Sequence, residues 1–357
     1  MTLRVVLVDD AETDRKHLPR RIQDLSDDEI EVFALPPPPD LDLEEVLSAN
    51  ADLFLVDYEL DTRQVSGSVA PYMGMTFAAR LREVRPAYPI VLLTRSNLPA
   101  WTAAQRTARA GSTFDDIMYK DTGLDADPLA TYAKLVSLAR GYQRLRKSSG
   151  RSLPALLGLL QTDDVGWEKA EEALPPPDDW REFEAAHWIR SVLLRYPGVL
   201  YTTAHAATAV GVSLDDFKRE QVLDLLRDAE YRGPFCEEGP YWWRHKLFDI
   251  AYRLSGTSNS ELGLRERFRL ASANMLGFEL APSKDVETGA VPADTVCYLL
   301  EVPVRIETSL PYQPDSRPPV MESARISFKA VRESNDVEEM HVEAASRTRL
   351  DELRASG

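Results

Sequence analysis

The sequence predicts an α/β domain at the start of the chain, built on a five-stranded parallel sheet, followed by a helix-rich α+β region. Three observations carry this. Short apolar runs lie at 5–8, 53–56, 89–93 and 117–119, and each ends at a polar residue: Asp9, Asp57, Thr94 and Lys120. Amphipathic stretches at 12–25, 42–49, 75–84, 99–110 and 128–146 alternate with them. A weaker strand at 31–35 completes five. Apolar strands too short to cross a membrane, separated by helix-period segments, read as a parallel sheet covered on both faces. Such sheets bind ligands beyond the carboxyl ends of their strands, so the polar residues that close these runs converge on one rim.

Length and charge bound the rest. A chain of 357 residues suits two or three domains. Its 44% apolar and 28% charged content is ordinary for globular protein. No apolar run reaches membrane-spanning length, and the N-terminus enters a strand-like run without a basic, apolar leader. Two cysteines, Cys236 and Cys297, make no disulfide framework, so reduced thiols and a cytoplasmic location are expected. The net charge of −16 speaks against a surface devoted to nucleic acid or anionic lipid. Residues 1–150 hold 18 basic against 23 acidic side chains and the remainder 24 against 35, so neither half is basic.

The converging residues carry chemistry as a set. Asp9, Asp10 and Asp57 brought within a few ångströms repel one another, and a hard divalent cation such as Mg2+ relieves this. A carboxylate is a weak nucleophile able to form an acyl phosphate, and phosphoryl transfer to it is mostly positioning and charge neutralisation. Mg2+ and the Lys120 ammonium would neutralise phosphoryl oxygens, and the Thr94 hydroxyl would hydrogen-bond one of them. Taken singly, each residue has a plainer reading as a helix cap, a turn residue or a solvated charge. The ordered set, each at a strand end, favours the site.

VLVDD, LVDYEL, IVLLTRS and IMYKD, in this order over residues 1–146, resemble the receiver domain of bacterial response regulators in two-component signalling. The resemblance implies a flavodoxin-like receiver of strand order 2-1-3-4-5, with Asp57 accepting a phosphoryl group from a histidine kinase or phosphotransfer protein. It implies that Asp10 and Asp57 ligate Mg2+ directly and Asp9 chiefly through water, with the backbone carbonyl of Glu59 as a further ligand. Four departures stand out. Arg95 follows Thr94 where the family has a small residue, and its bulk is expected to shield the acyl phosphate. Lys120 is followed by Asp121 rather than proline. The aromatic switch position falls on Ile117, with Tyr119 out of step. The loop from Asp57 to Gly74 spans 17 positions, enough extra chain for a lid or a docking segment.

After 1–146 the sequence divides into a linker and helical connector at 147–179, a helical module at 180–260 and an α+β region at 261–357. KSSGRS and LPPPDD punctuate the connector. Helices are expected at 153–160, 180–195, 215–230 and from 262 to about 276, with strands over 296–308 broken by Pro303. AHAATAVGV at 204–212, with Gly211 at a turn, then the helix at 215–230 and a hairpin over YRGPFCEEGPYWWRHKL, read as a winged-helix-like unit. Residues 198–255 carry seven basic against nine acidic side chains, which disfavours DNA and favours protein contacts. The cysteines match no zinc spacing, and no phosphate-cradling glycine loop, HExxH or GxSxG is present. The leading function is a non-enzymatic switch whose output meets a protein partner or a second copy. A DNA-binding transcription regulator and an effector enzyme with an unrecognised site are the alternatives.

Overall fold

In the computed structural model, the described residues are 2–24, 29–60, 72–95, 113–120, 127–148, 153–159, 181–256, 262–314, 317–318, 321–334 and 336–355. They divide into two units. The first comprises Met1–Gly158, Pro176–Ile189 and Gly233–Glu238; the second comprises Leu159–Pro175, Arg190–Arg232 and Gly239–Gly357. Among the described residues, no helix is long and apolar enough to cross a membrane.

The first unit holds the predicted sheet. Strands β1 (Leu3–Val8), β2 (Ile30–Leu35), β3 (Leu53–Asp57), β4 (Ile90–Thr94) and β5 (Asp116–Tyr119) pair in the order β2-β1-β3-β4-β5, all in parallel. Every residue of β3 and β4 is buried, as expected for strands covered on both faces. Helices α1 (Glu12–Gln23), α2 (Glu44–Ser48), α3 (Gly74–Val84) and α4 (Pro128–Lys147) follow the expected stretches. The expected helix at 99–110 and most of the loop between Asp57 and Gly74 lie outside the described residues.

Beyond the strands' amino ends, α4 is tied down by paired charges. The buried Asp115 carboxylate accepts hydrogen bonds from the Arg82 guanidinium (2.7 Å), the Ile90 amide (2.8 Å) and the Tyr142 hydroxyl. Arg82 also lies 4.2 Å over the ring of Phe183, in the helix Glu182–Trp188. The segment 233–238 packs on α4. Arg144 grips Glu237 with two hydrogen bonds, at 3.0 and 2.5 Å, and Phe235 is fully buried edge-on to Tyr142. Gly141 makes this seat, because a Cβ there would stand 2.3 Å from the Phe235 ring.

The second unit departs from two expectations, over residues 215–230 and at Pro303. β7 (Tyr241–Trp243) pairs antiparallel with β6 (Leu200–Thr202) on one side and meets the expected hairpin partner on the other, where Trp242 bridges Glu230 and the Tyr231 amide donates to the Tyr241 carbonyl at 2.8 Å; residues 244–255 form a helix. Both indoles are buried, and Trp242 meets Phe217 edge-to-face at 5.2 Å. The helix expected over 215–230 is three pieces, Leu214–Phe217, Glu220–Leu225 and a 3-10 turn Arg227–Ala229. Asp216 holds the first break by accepting from Arg219 (2.7 Å) and from the Ala281 amide (2.6 Å). Pro303 interrupts no strand but sits within one, opposite Val296. As expected, Gly211 closes the helix Thr203–Val210 with φ of 77°.

Two apolar cores organise this unit. One joins Val210, Phe217, Val222, Trp242, Ile250 and Phe268, and so runs across position 261. The other joins Cys297, Val304, Tyr312, Ile326, Val331 and Leu350.

The Phe235 seat yields a direct test of the first unit. Phe235→Ala should lower unfolding stability by about 3–5 kcal/mol, the usual cost of emptying a buried aromatic site. Gly141→Val should destabilise the same contact by overpacking. Urea denaturation checks both.

Candidate functional site: an acidic pocket at the carboxyl rim of the sheet

Strand geometry delivers the predicted residues to one place. Asp9 and Asp10 follow β1, Asp57 closes β3, Thr94 closes β4 and Lys120 follows β5. The β1–β3 and β3–β4 registers align these ends, and the Lys120 amide donates to the Thr94 carbonyl at 2.9 Å. Asp9, Asp10, Asp57, Thr94 and Lys120 are all buried. Glu59, two residues past β3, is exposed, and its side chain takes no part.

The three carboxylates present oxygens that lie within 4.8 Å of one another. Lys120 is the cation at their centre. Its ammonium donates to Asp9 (2.7 Å), and reaches Asp57 (3.0 Å) and Asp14 (3.0 Å). The Thr94 hydroxyl is lightly committed, 3.4 Å from the Arg95 carbonyl.

Two residues that the sequence pattern did not single out complete the pocket. Arg15, on α1, donates from one guanidinium nitrogen to the carbonyls of both Asp9 and Asp10, each at 2.6 Å. It fixes the backbone that carries the acid pair. Asp14, on the same turn of α1, brings a fourth carboxylate, and Arg95 lies 3.8 Å from it with its side chain 65% exposed. Ile117, at the aromatic switch position, packs against the apolar core with Phe114 and Leu92.

The pocket is rich in negative charge, and its titration reflects this. Burial pushes the Asp57 carboxyl up to about 7; Lys120 opposes the rise, while Asp9 and Asp10 reinforce it. Asp10 is raised by burial and then by Asp9, with Lys120 opposing. Burial alone would lower the Lys120 pKa, but Asp57 and Asp9 outweigh it and raise it. These buried oxygen donors fit a hard cation such as Mg2+, which takes one or two carboxylates and keeps several waters.

Gly74, the first residue of α3, brings the helix against the acceptor strand. A Cβ at Gly74 would stand 1.9 Å from the Asp57 carbonyl oxygen, and the Gly74 amide donates to the Tyr58 carbonyl at 2.9 Å.

No family model matches this chain, and no curated protein matches it. Solved structures do align. One is the signal receiver domain of a modulated diguanylate cyclase from Desulfovibrio desulfuricans G20, at 17% identity, 41% of this chain, 99% of that one and a TM-score of 0.31. Another is the response regulator protein TrrA from Thermotoga maritima in complex with Mg(2+)-BeF, at 21% identity, 35% of this chain, 92% of that one and a TM-score of 0.27. A third is the signal receiver domain of the putative response regulator NarL from Mycobacterium tuberculosis, at 18% identity, 39% of this chain, 98% of that one and a TM-score of 0.30. The strand order of the sheet is itself that of the flavodoxin-like receiver fold.

Three outcomes follow for the pocket. Mg2+ affinity should rise as pH climbs through about 7 and level off above it, with release of about one proton per ion on the acid side as Asp57 is held ionised. The raised carboxyl pKa also sets the metal-free stability: the Asp57 contribution is full below about 4 and is lost as pH rises through about 7. Calorimetry in buffers of different ionisation enthalpy counts the protons. Gly74→Ala should weaken Mg2+ binding and cost about 1–3 kcal/mol of stability, as overpacking does, measured by the same titration and by denaturation.

Proposed function

We propose that this chain is a two-component response regulator, phosphorylated on Asp57 by a histidine kinase or phosphotransfer protein. The observation that carries the reading is the buried grouping of Asp57 with Asp9 and Asp10, bridged by Lys120 at 3.0 Å from Asp57 and 2.7 Å from Asp9. In the transfer, a carboxylate oxygen of Asp57 bonds to phosphorus as the P–N bond of a phosphohistidine breaks. The departing imidazole keeps the electron pair and carries a proton. Asp9, Asp10 and Asp57 would hold Mg2+, with the Glu59 carbonyl and water completing its shell. The bound ion supplies positive charge that offsets the phosphoryl oxygens. Lys120 neutralises a further oxygen, and the Thr94 hydroxyl donates to another.

The output is read as a surface that meets protein, either a partner or a second copy. The acidic balance of residues 151–357 supports this over DNA, whose phosphates require a basic excess. An effector enzyme remains the further alternative, distinguished by turnover in a substrate screen.

Incubation with a small phosphodonor and Mg2+ should add one phosphoryl group per chain, and Asp57→Asn should abolish it, as intact-mass measurement reads directly. Unchanged labelling in that variant overturns the assignment. A beryllofluoride mimic with Mg2+ should change self-association in light scattering at fixed protein concentration. No change, together with duplex DNA binding that weakens steeply with salt, favours the transcription-regulator reading.

A further inference from the structure

A lysine ammonium has three N–H donors and no acceptor. In this pocket three carboxylates claim them: Asp9 at 2.7 Å, Asp14 at 3.0 Å and Asp57 at 3.0 Å. A phosphoryl group arriving on Asp57 needs one of those donors, so Lys120 must give up a carboxylate to receive it. The three are unequal. Asp9 is wholly buried and its other oxygen already accepts from the Ala11 amide at 2.8 Å. Asp57 is the acceptor itself. Asp14 is the outermost, 22% exposed at its side chain, and it has a second cation in Arg95 at 3.8 Å.

We propose that Asp14 is a positioning residue that restrains Lys120 before phosphorylation, and that Arg95 takes over Asp14 when Lys120 turns to the phosphoryl oxygens. The inference rests on Asp57 being the phosphoacceptor. Asp14 and Arg95 then form a graded counter-ion at the mouth of the pocket. Asp14 competes for the ammonium and repels the anionic donor, while Arg95 weakens both effects by neutralising it. Arg95, placed directly after the β4 terminus, thereby acts by charge rather than by bulk alone.

The consequence is a defined pattern of rates. Asp14→Asn keeps the side-chain shape and removes the charge. Labelling by a small anionic phosphodonor with Mg2+ should rise about three- to fivefold, the scale of a partly exposed ion pair. Asp14→Glu should bring the rate back toward that of the unaltered protein. Arg95→Ala should slow labelling, and the gain from Asp14→Asn should be larger in that background than alone, because Asp14 is then uncompensated. These differences should shrink at high ionic strength, which a purely structural role would not produce.

A second measurement needs no phosphoryl group. The Lys120 ammonium protons, followed by nitrogen-15 NMR, should exchange with water faster in Asp14→Asn. Unchanged exchange overturns the proposal, and so does equal labelling by Asp14→Asn and the unaltered protein at low salt. Absence of labelling in the unaltered protein overturns instead the phosphoacceptor reading, and with it any role of Asp14 in transfer.

Discussion

Four carboxylates, Asp9, Asp10, Asp14 and Asp57, surround one buried ammonium, Lys120, and the first unit is built to keep them there. Like charges at such separation in a partly desolvated pocket would spread apart if the backbone allowed it. Each acid is therefore fixed to an element that cannot yield alone. Asp57 ends a fully buried central strand, the carbonyls of Asp9 and Asp10 are held by Arg15, and Asp14 rides on α1. Burial first, and then the repulsion that remains, raise the carboxyl pKa values of Asp57 and Asp10. Such retained imbalance is what a site that binds a cation must store.

The opposite rim shows the contrast. There Asp115 meets Arg82, Tyr142 and a backbone amide, and Arg146 reaches the Ala87 carbonyl and lies 4.1 Å over the Tyr88 ring. Charges are matched and most donors are spent, the buried Arg82 Nε excepted, so this end offers more to rigidity than to a ligand. One sheet thus carries a charge-matched polar network at its amino ends and an acid-rich one at its carboxyl ends. The first makes the second possible, because α4 and the strands must be held for the acids to remain close.

Much of this was legible in the sequence. The five strands, and the acids, Thr94 and Lys120 at their ends, follow from apolar runs that stop at polar residues. Asp14 and Arg15 were not legible, because a helix-borne charge reads as a solvated one until its partner 106 positions away is known. The second partner of β7 was hidden for a similar reason. Tyr241–Trp243 meets Glu230 across the nearby hairpin, whereas its other mate, Leu200–Thr202, lies before the helix Thr203–Val210 and about 40 positions away. The stretch 215–230 keeps a helical apolar period, with Phe217, Val222 and Leu226 all buried, although Asp216 breaks the backbone between them. Periodicity reports which side chains face a core, and a buried polar hub can preserve that while ending the helix.

The charge imbalance also bears on how a signal would begin. A divalent ion among Asp9, Asp10 and Asp57 would offset part of the negative excess, and a phosphoryl group on Asp57 would restore much of it farther out, toward Thr94. Cations must then be redistributed, and in the scheme proposed above the one that turns is the Lys120 side chain. Lys120 and Thr94 are joined through their backbones at 2.9 Å, and Thr94 pairs with Tyr119 across β4 and β5. A pull on either is therefore shared by the last two strands of the sheet. Those strands are followed by α4, whose Leu135, Leu138 and Ala139 are buried. The sheet edge thus offers a short, packed route from the pocket to α4, and it requires no displacement of the buried strands β1 and β3.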